Sequence, residues 1–294
     1  MVVSRLPNLR IVAPEPELQP FINKIWTFES PLGLPPSVRN LAVPNGCSKL
    51  TFAYGNSFVS TANGQSKIRA AERLNIIGCR DSSIQLESNP GHIGCIGIEF
   101  RPHGALPFFG VPLEEIRDVI DDADVVLGRW GRHLQGGLND CGIAADRIEL
   151  LQQELIVQLR KCQRERRWQK CEREFALVGH CVRALESADG LVPIRSLQRT
   201  TGYSMRHLET LSRQHVGLSL KTLAGIFRFQ RFHRAWARGQ PYECVAGVVG
   251  QHFYDQSHFS KSFRRMTGYS PGQYFRHIRN DFGRQLSLGE GDMC

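Results

Sequence analysis

Short apolar runs separated by turn residues fill the first 110 positions. Lys49 to Tyr54, Asn56 to Val59, Leu74 to Ile77, Ser83 to Leu86 and Ile93 to Phe100 are predicted strands. Pro44-Asn-Gly46, Asn63-Gly64 and Asn89-Pro-Gly91 lie between or beside them as turn signals. Strands this short and this regularly spaced predict a small barrel or sandwich. From about position 103 the pattern turns helical, and the run Pro112-Leu-Glu-Glu-Ile-Arg-Asp-Val-Ile120 predicts a helix with proline and acid in its first turn. Over 144–168, Ile148, Leu151, Leu155, Leu159 and Cys162 recur at spacings of 3, 4, 4 and 3. That stripe predicts an amphipathic helix, which either docks on the barrel or forms a dimer seam.

The last third contains an internal repeat. Tyr203-Ser-Met-Arg-His-Leu208 aligns with Tyr254-Asp-Gln-Ser-His-Phe259 at an offset of 51, and the same offset carries Leu197 to Val248, Gly217 to Gly268 and Ser219 to Ser270. Each unit reads as helix, tight turn, helix. In the first, Pro193 to Thr200 is a short helix, Thr201-Gly202-Tyr203 turns the chain, Ser204 caps a second helix and Gly217 closes it. In the second, residues 243–251 form the first helix, Phe253-Tyr254 turn the chain, Asp255 caps the next helix and Gly268 closes it. A helix over Ser219 to Arg238 joins the units. Its length, about 28 Å at 1.5 Å per residue, with the offsets of the flanking units, sets the two second helices about 34 Å apart, one duplex turn. Two successive major grooves are then within reach of one chain.

Charge points the same way. The formal net charge is +9. Residues 175–282 hold 15 Lys and Arg against 6 Asp and Glu, whereas the rest of the chain holds 22 of each sign, so the whole surplus sits in the last third. Such asymmetry predicts a polyanionic partner, double-stranded DNA in the first place. Residues on the N-terminal half of each second helix are the candidate base readers: Arg206, Glu209, Thr210 and Arg213 in the first unit, Gln256, Ser257, His258 and Lys261 in the second. Arg206 suits guanine and Glu209 a cytosine amino group. Leu208, Leu211, Phe259 and Phe263 fall on the opposite face and are expected in the core. Arg264 and Arg265, with Arg228, Arg231 and Arg234 on the joining helix, are assigned to phosphates or to a solvated face.

These residues resemble a known family. Phe253 through Tyr274, with Phe263, Arg264, Gly268, Ser270, Pro271 and Tyr274 at matching places, is similar to the second motif of AraC/XylS-type transcription regulators. Gly250-Gln-His252 departs from that family's usual Ala-x-x-x-Gly-Phe run, and Ser212 stands where an aromatic is common. Phe21-Ile-x-x-Ile-Trp26, Pro44-Asn-Gly46 and Gly97-Ile-Glu-Phe-Arg-Pro102 resemble, more loosely, the β-barrel that accompanies some of these regulators. The resemblance implies a barrel that binds an effector or mediates dimerisation. It also implies RNA polymerase as a partner if the regulator is an activator. Arg69-Ala-Ala-Glu-Arg73 followed by Asp81 and Ser83 resembles the cyclic-di-GMP motif of PilZ domains, with Leu86 in place of its final glycine. That likeness makes Arg69, Arg73, Asp81 and Ser83 candidate effector ligands and cyclic-di-GMP a candidate effector, because paired guanidinium groups fork onto phosphate and stack on bases.

The remaining composition narrows the picture. The chain has 294 residues, 41% of them hydrophobic, enough for about two domains. No apolar run reaches the ~18 residues of a membrane helix, and the N-terminus lacks a secretory pattern, so a cytoplasmic protein without a membrane partner is expected. Nine cysteines lack any C-x-x-C pair, which argues against a zinc site. His92, Glu99 and His103 lie at spacings that do not share one strand face, and no catalytic constellation stands out. The expected fold is α+β in two domains: a β-barrel or sandwich with following helices over 1–143, a linker or dimerisation helix over 144–174, an all-α tandem helix-turn-helix domain over 175–282, and a tail over 283–294. The expected function is sequence-specific, effector-responsive transcription regulation, without catalytic, metal or cofactor residues. An enzyme with an accessory helical domain, or a constitutive DNA binder, is the alternative.

Overall fold

The computed structural model describes residues 9–34, 40–165, 168–239 and 256–277. Ten strands among them form two antiparallel sheets. The larger has the order β1 (Arg10–Val12), β2 (Ile22–Ser30), β9 (Ile93–Phe100), β4 (Lys49–Gly55), β7 (Arg73–Ile77), β10 (Ile120–Asp122). The smaller runs β3 (Asn40–Ala42), β8 (Ile84–Ser88), β5 (Phe58–Ala62), β6 (Gln65–Arg69). Asn63 and Gly64 close the β5–β6 hairpin with φ of 51° and 76°, the twist that a two-residue turn needs.

The larger sheet is buried on both faces. Leu50, Phe52, Leu74, Ile76, Ile96 and Ile98 form one face and pack on helices, in one core with Leu134, Leu151, Leu155 and Leu159. Those helices are α1 (Leu106–Phe109), α2 (Asp124–Asp140) and α3 (Ala144–Arg164). The alternate residues, among them Lys49, Thr51, Asn75 and Glu99, face a cavity between the two sheets. Period-2 alternation thus separates a helix-covered face from a ligand-sized space. Gly97 lies opposite Trp26 in the β2–β9 register, and a Cβ there would fall 2.1 Å from the indole, so glycine lets the ring lie flat along the cavity wall.

The α3 stripe of Leu151, Leu155 and Leu159 is docked in this core, which leaves that face no dimer seam to form. The helix expected from Pro112 does not occur. Glu115 N donates to the Pro112 carbonyl and Val119 N to that of Ile116, Asp118 takes φ of 62°, and the chain passes through turns into β10. The predicted strand at Asn56 starts instead at Phe58.

The C-terminal region is helical: α4 (Trp168–Ser187), α5 (Ile194–Thr201), α6 (Met205–Val216), α7 (Leu220–Ala237), α8 (Gln256–Thr267) and α9 (Pro271–His277). α4 runs without a break through position 175, where the linker was expected to end. The second helices bear out the repeat: α6 and α8 begin and end 51 positions apart and are closed by Gly217 and Gly268 at φ of 83° and 82°. The helix expected over 243–251, the Phe253-Tyr254 turn and the Asp255 cap lie outside the described residues, as does the 283–294 tail.

Candidate effector cavity and nucleic-acid interface

In the first helix-turn-helix unit, Gly202 takes φ of 75° after α5, and the Ser204 hydroxyl accepts from the His207 backbone N–H to start α6. Leu208 and Leu211 then face the core, which leaves Arg206, His207, Thr210 and Arg213 exposed along one face. That face is the one expected to meet base edges. Tyr203, 48% exposed, stacks on His207 at 5.1 Å between centroids and extends it. Glu209 is turned elsewhere: its Oε2 accepts from Leu220 N at 3.4 Å, at the start of α7, so the carboxylate is occupied by a helix N-terminus rather than free for a cytosine.

In the second unit Phe259 and Phe263 are buried, while Lys261, Arg264 and Arg265 are exposed. The side chains of Gln256, Ser257 and His258 lie outside the described residues. The joining helix departs from expectation. Arg231 and Arg234 hold Asp189 at 2.9 and 3.1 Å, and Arg228 donates to the Gly190 carbonyl at 2.6 Å. These three arginines fasten α7 to the turn after α4 instead of lining a phosphate track.

The cavity between the sheets has a volume of about 480 Å³, within the range of small-molecule sites. Its barrel wall carries aromatic and aliphatic side chains, Trp26, Phe28, Phe58, Leu86 and Ile93 among them, with a few polar groups. Glu99 is the most connected of these. It accepts from Asn23 Nδ2 at 2.8 Å and Asn45 Nδ2 at 2.7 Å, and Lys24 and Lys49 stand 3.8 and 3.7 Å away. Burial works against its ionisation, but the two lysines and two amides outweigh it and hold the carboxyl below the usual range.

The remaining wall belongs to the helical region. Phe175, Val182, Arg183 and Glu186 of α4, with Phe227, Gln230 and Arg234 of α7, line the same space. Gln230 Nε2 donates to the Pro44 carbonyl at 2.6 Å, and Leu41 and Cys79 of the β-rich region share one core with α4, α6 and α7. His103 packs on Phe175 at 4.7 Å, and burial, with Arg183, Arg101 and His215 nearby, brings its pKa down to about 4.

The residues with the PilZ-like spacing do not converge. Arg69 ends β6 in the smaller sheet and is buried, whereas Arg73 starts β7 in the larger sheet and is exposed. Glu72 between them takes φ of 60°, and the turn sends the two guanidinium groups apart. Asp81 pairs with Arg117 at 3.3 Å, and neither it, Ser83 nor Arg73 lines the cavity; Arg69 alone does. The four residues therefore do not assemble a cyclic-di-GMP site. The inward charges that do shape the cavity, Lys49 and Glu99, had a legible signal: each sits in a strand at the period of the apolar residues' opposite face.

Comparison with known proteins agrees with this division. Residues 197–277 match a helix-turn-helix domain family, and residues 10–120 match a domain of unknown function, DUF6597. ToxT from Vibrio cholerae O395 is similar over 86% of this chain and 98% of its own, at 10% identity and a TM-score of 0.43. Unsaturated fatty acid-bound ToxT from Vibrio cholerae strain SCE256 is similar over 86% and 95%, also at 10% and 0.43. The AraC-like transcriptional activator CuxR is similar over 81% and 90%, at 12% and 0.24. No curated protein shows significant similarity to the chain. The protein carries a β-rich domain followed by a helix-turn-helix domain, and it is a DNA-binding transcriptional regulator.

Proposed function

We propose that this regulator is of AraC/XylS type and effector-responsive, with α6 and α8 entering successive major grooves of its operator and a small molecule bound in the cavity of the β-rich domain. One observation carries the reading. The cavity is walled on one side by the sheets and on the other by α4 and α7, the helices on which both helix-turn-helix units are built. An occupant that touches both walls has different contacts when the walls move, and differential contact is what couples two sites.

Arg206, Thr210 and Arg213 read or position DNA from α6, and Lys261 and Arg264 from α8, together with Gln256, Ser257 and His258. Arg69 belongs to the effector site. Action in the cytoplasm, a homodimer on DNA and, if the regulator is an activator, a contact with RNA polymerase are part of the same reading.

The test begins with genome-wide mapping of the sites bound by the full chain, followed by fluorescence anisotropy on one such duplex. Affinity is expected to fall with salt at a log–log slope of about −0.9 per phosphate contacted. A cavity ligand that shifts DNA affinity must itself bind more tightly, by the same factor, to the DNA-bound protein. Salt-independent binding, or a cavity ligand without any effect on DNA affinity, would overturn the proposal.

A further inference from the structure

Arg69 is 5% exposed and only partly satisfied. Its Nε donates to Ser60 Oγ at 2.8 Å, but the buried Nη1 has no partner. Among the described residues no carboxylate comes within the 4.0 Å of an ion pair; Asp121 and Asp122 act on it from farther away, and Asp121 is itself paired with Lys67. Burial pulls the guanidinium pKa down against those two acids, yet arginine keeps its charge in proteins. Arg80, equally buried and with its Nε also unpartnered, differs in having a carboxylate beside it. It donates to the Asp118 carbonyl and to Ser82, and the Asp118 carboxylate stands 3.7 Å away. A buried charge without such a partner is costly, and its persistence calls for a partner from outside the chain.

Strand register places Arg69 where that partner would have to be. Phe58 pairs with Arg69 across β5–β6, and Ser60 pairs with Leu86 across β5–β8, so all four side chains share the inner face of the smaller sheet. Opposite them stand Trp26 and Phe28 of β2, which with Ile93, Phe58 and Leu86 form a separate apolar cluster. Among the described residues, one end of the cavity thus offers Arg69, a cation with no carboxylate beside it, next to an aromatic wall. The other inward cations of the sheets, Lys24 and Lys49, already face Glu99.

We infer that the cavity takes an amphipathic monocarboxylate, its head group on Arg69 and its apolar body against Trp26, Phe28, Phe58 and Leu86. The inference rests on the cavity being the effector site. A carboxylate presents two acceptors to the free edge of the guanidinium and satisfies Nη1. A head with a second negative charge would gain less, because Asp121 and Asp122 already act on Arg69 from outside the cavity and oppose further negative charge there. A neutral head would leave the guanidinium unpaired.

Isothermal calorimetry on the full chain with octanoate, octan-1-ol, octylammonium and octyl phosphate holds the apolar body constant and varies only the head. Octanoate is expected to bind about tenfold or more tightly than octan-1-ol, the scale of a hydrogen bond to a charged group. Arg69→Met should bring that ratio to about one by lowering octanoate affinity far more than octan-1-ol affinity, and Arg69→Lys should restore part of it. Thermal melts add an independent readout. Because Arg69 has no carboxylate partner among the described residues, Arg69→Met should leave the ligand-free melting temperature unchanged or raised; an arginine held by a structural ion pair would lower it. Equal binding of octanoate and octan-1-ol, tighter binding of octyl phosphate, a ratio that survives Arg69→Met, or no heat from any of the four would overturn the inference. Octanoate that binds through Arg69 but leaves DNA affinity unmoved would instead overturn the effector reading and keep the ligand class.

Discussion

The second helices of the two repeat units, α6 and α8, have the same length and closing glycine and different surroundings. Around the first, Leu185, Leu197, Leu208, Leu211 and Val216 make an aliphatic core, and Ser212, fully buried, donates to the Leu218 carbonyl at 2.8 Å. In the second, the position 51 residues on from Ser212 is Phe263, which meets Phe229, Phe232, Phe259 and Tyr274 at centroid distances of 5.1 to 5.5 Å. The attachments differ as well. The first unit is joined to the β-rich domain: Leu113 N donates to the Gln214 carbonyl, and Gly217 leaves no room for a Cβ beside the Leu113 carbonyl, 2.8 Å away. The second unit is held to α7 by rings. α7 serves both, with Phe227, Gln230 and Arg234 toward the cavity and Phe229, Phe232, His233 and Trp236 toward α8 and α9. Both sets follow the i, i+3, i+4, i+7 spacing of helix faces. On the proposed effector reading, a signal from the cavity would enter through α4 and α7, and the aromatic cluster would carry α8 along with α7.

The largest effect expected from this contrast is on stability. Phe263→Ala should cost about 3–5 kcal/mol, the scale for truncating a buried aromatic, whereas Ser212→Ala, at the equivalent place, should cost about 1 kcal/mol for one hydrogen bond. Chemical denaturation of the two variants measures the difference. DNase footprinting should show Phe263→Ala losing the half-site read by α8 first. Similar costs at both positions would mean that the two interiors are equivalent after all.

Acid should act next most strongly, and through buried histidines. His233 lies in the aromatic cluster, where Nε2 meets the Tyr274 hydroxyl at 3.1 Å, and burial, then Arg234, brings its pKa down to about 3. Above about pH 6.5 the ring is neutral folded or unfolded, and its contribution to stability is complete. As pH falls below that value the unfolded chain takes up a proton that the folded chain refuses, so stability is lost progressively toward pH 3, on the order of a few kcal/mol in total. His103, at the cavity, acts in the same direction with its pKa near 4. Urea denaturation between pH 7 and 4.5 should show the decline, and His233→Gln should flatten it. A slope unchanged by that substitution would place the sensitivity elsewhere.

Much of this organisation was legible in the chain, and the gaps have identifiable causes. The Ser204 cap and the closing glycines Gly217 and Gly268 are set by local chemistry, so α6 and α8 could be placed to the residue. β6 could not be, because Gln65-Ser-Lys-Ile-Arg69 is an edge strand exposed except at Arg69 and shows no apolar alternation. The Pro112 segment has every local sign of a helix start, but pairing of β10 with β7 takes the chain that follows it. Arg69 and Arg73 are four apart in sequence and on different sheets in space, a separation no spacing rule contains. The α7 arginines were likewise drawn to Asp189 by tertiary folding.

The two reading faces give the next prediction. Arg206→Ala and Lys261→Ala should each cost about 1–3 kcal/mol on the cognate site if the contact is to a base. Preference should relax at positions about one helical turn apart, since one residue lies on α6 and the other on α8. Binding-site selection with each variant locates the relaxed positions. Both effects falling on one base pair would rule out two successive grooves. Glu209→Gln, by contrast, should leave base preference as it is, because the carboxylate is engaged at the start of α7.

The smallest effect probes the joint itself. Gln230 spans the boundary by its hydrogen bond to the Pro44 carbonyl, and Gln230→Leu removes the donor while nearly keeping the volume. The expected cost is about 1 kcal/mol, which corresponds to roughly fivefold faster local opening. Its location matters more than its size. If the first unit is the one that answers to the β-rich domain, hydrogen exchange should quicken over residues 40–46, 113–119 and 205–217, where the two regions meet. Exchange in α8 should stay as in the unsubstituted chain, because the rings that hold α8 to α7 are untouched. Quickening spread equally over α6 and α8 would show that the boundary and the aromatic cluster open together, and the two units would then be a single body rather than a docked unit and its follower.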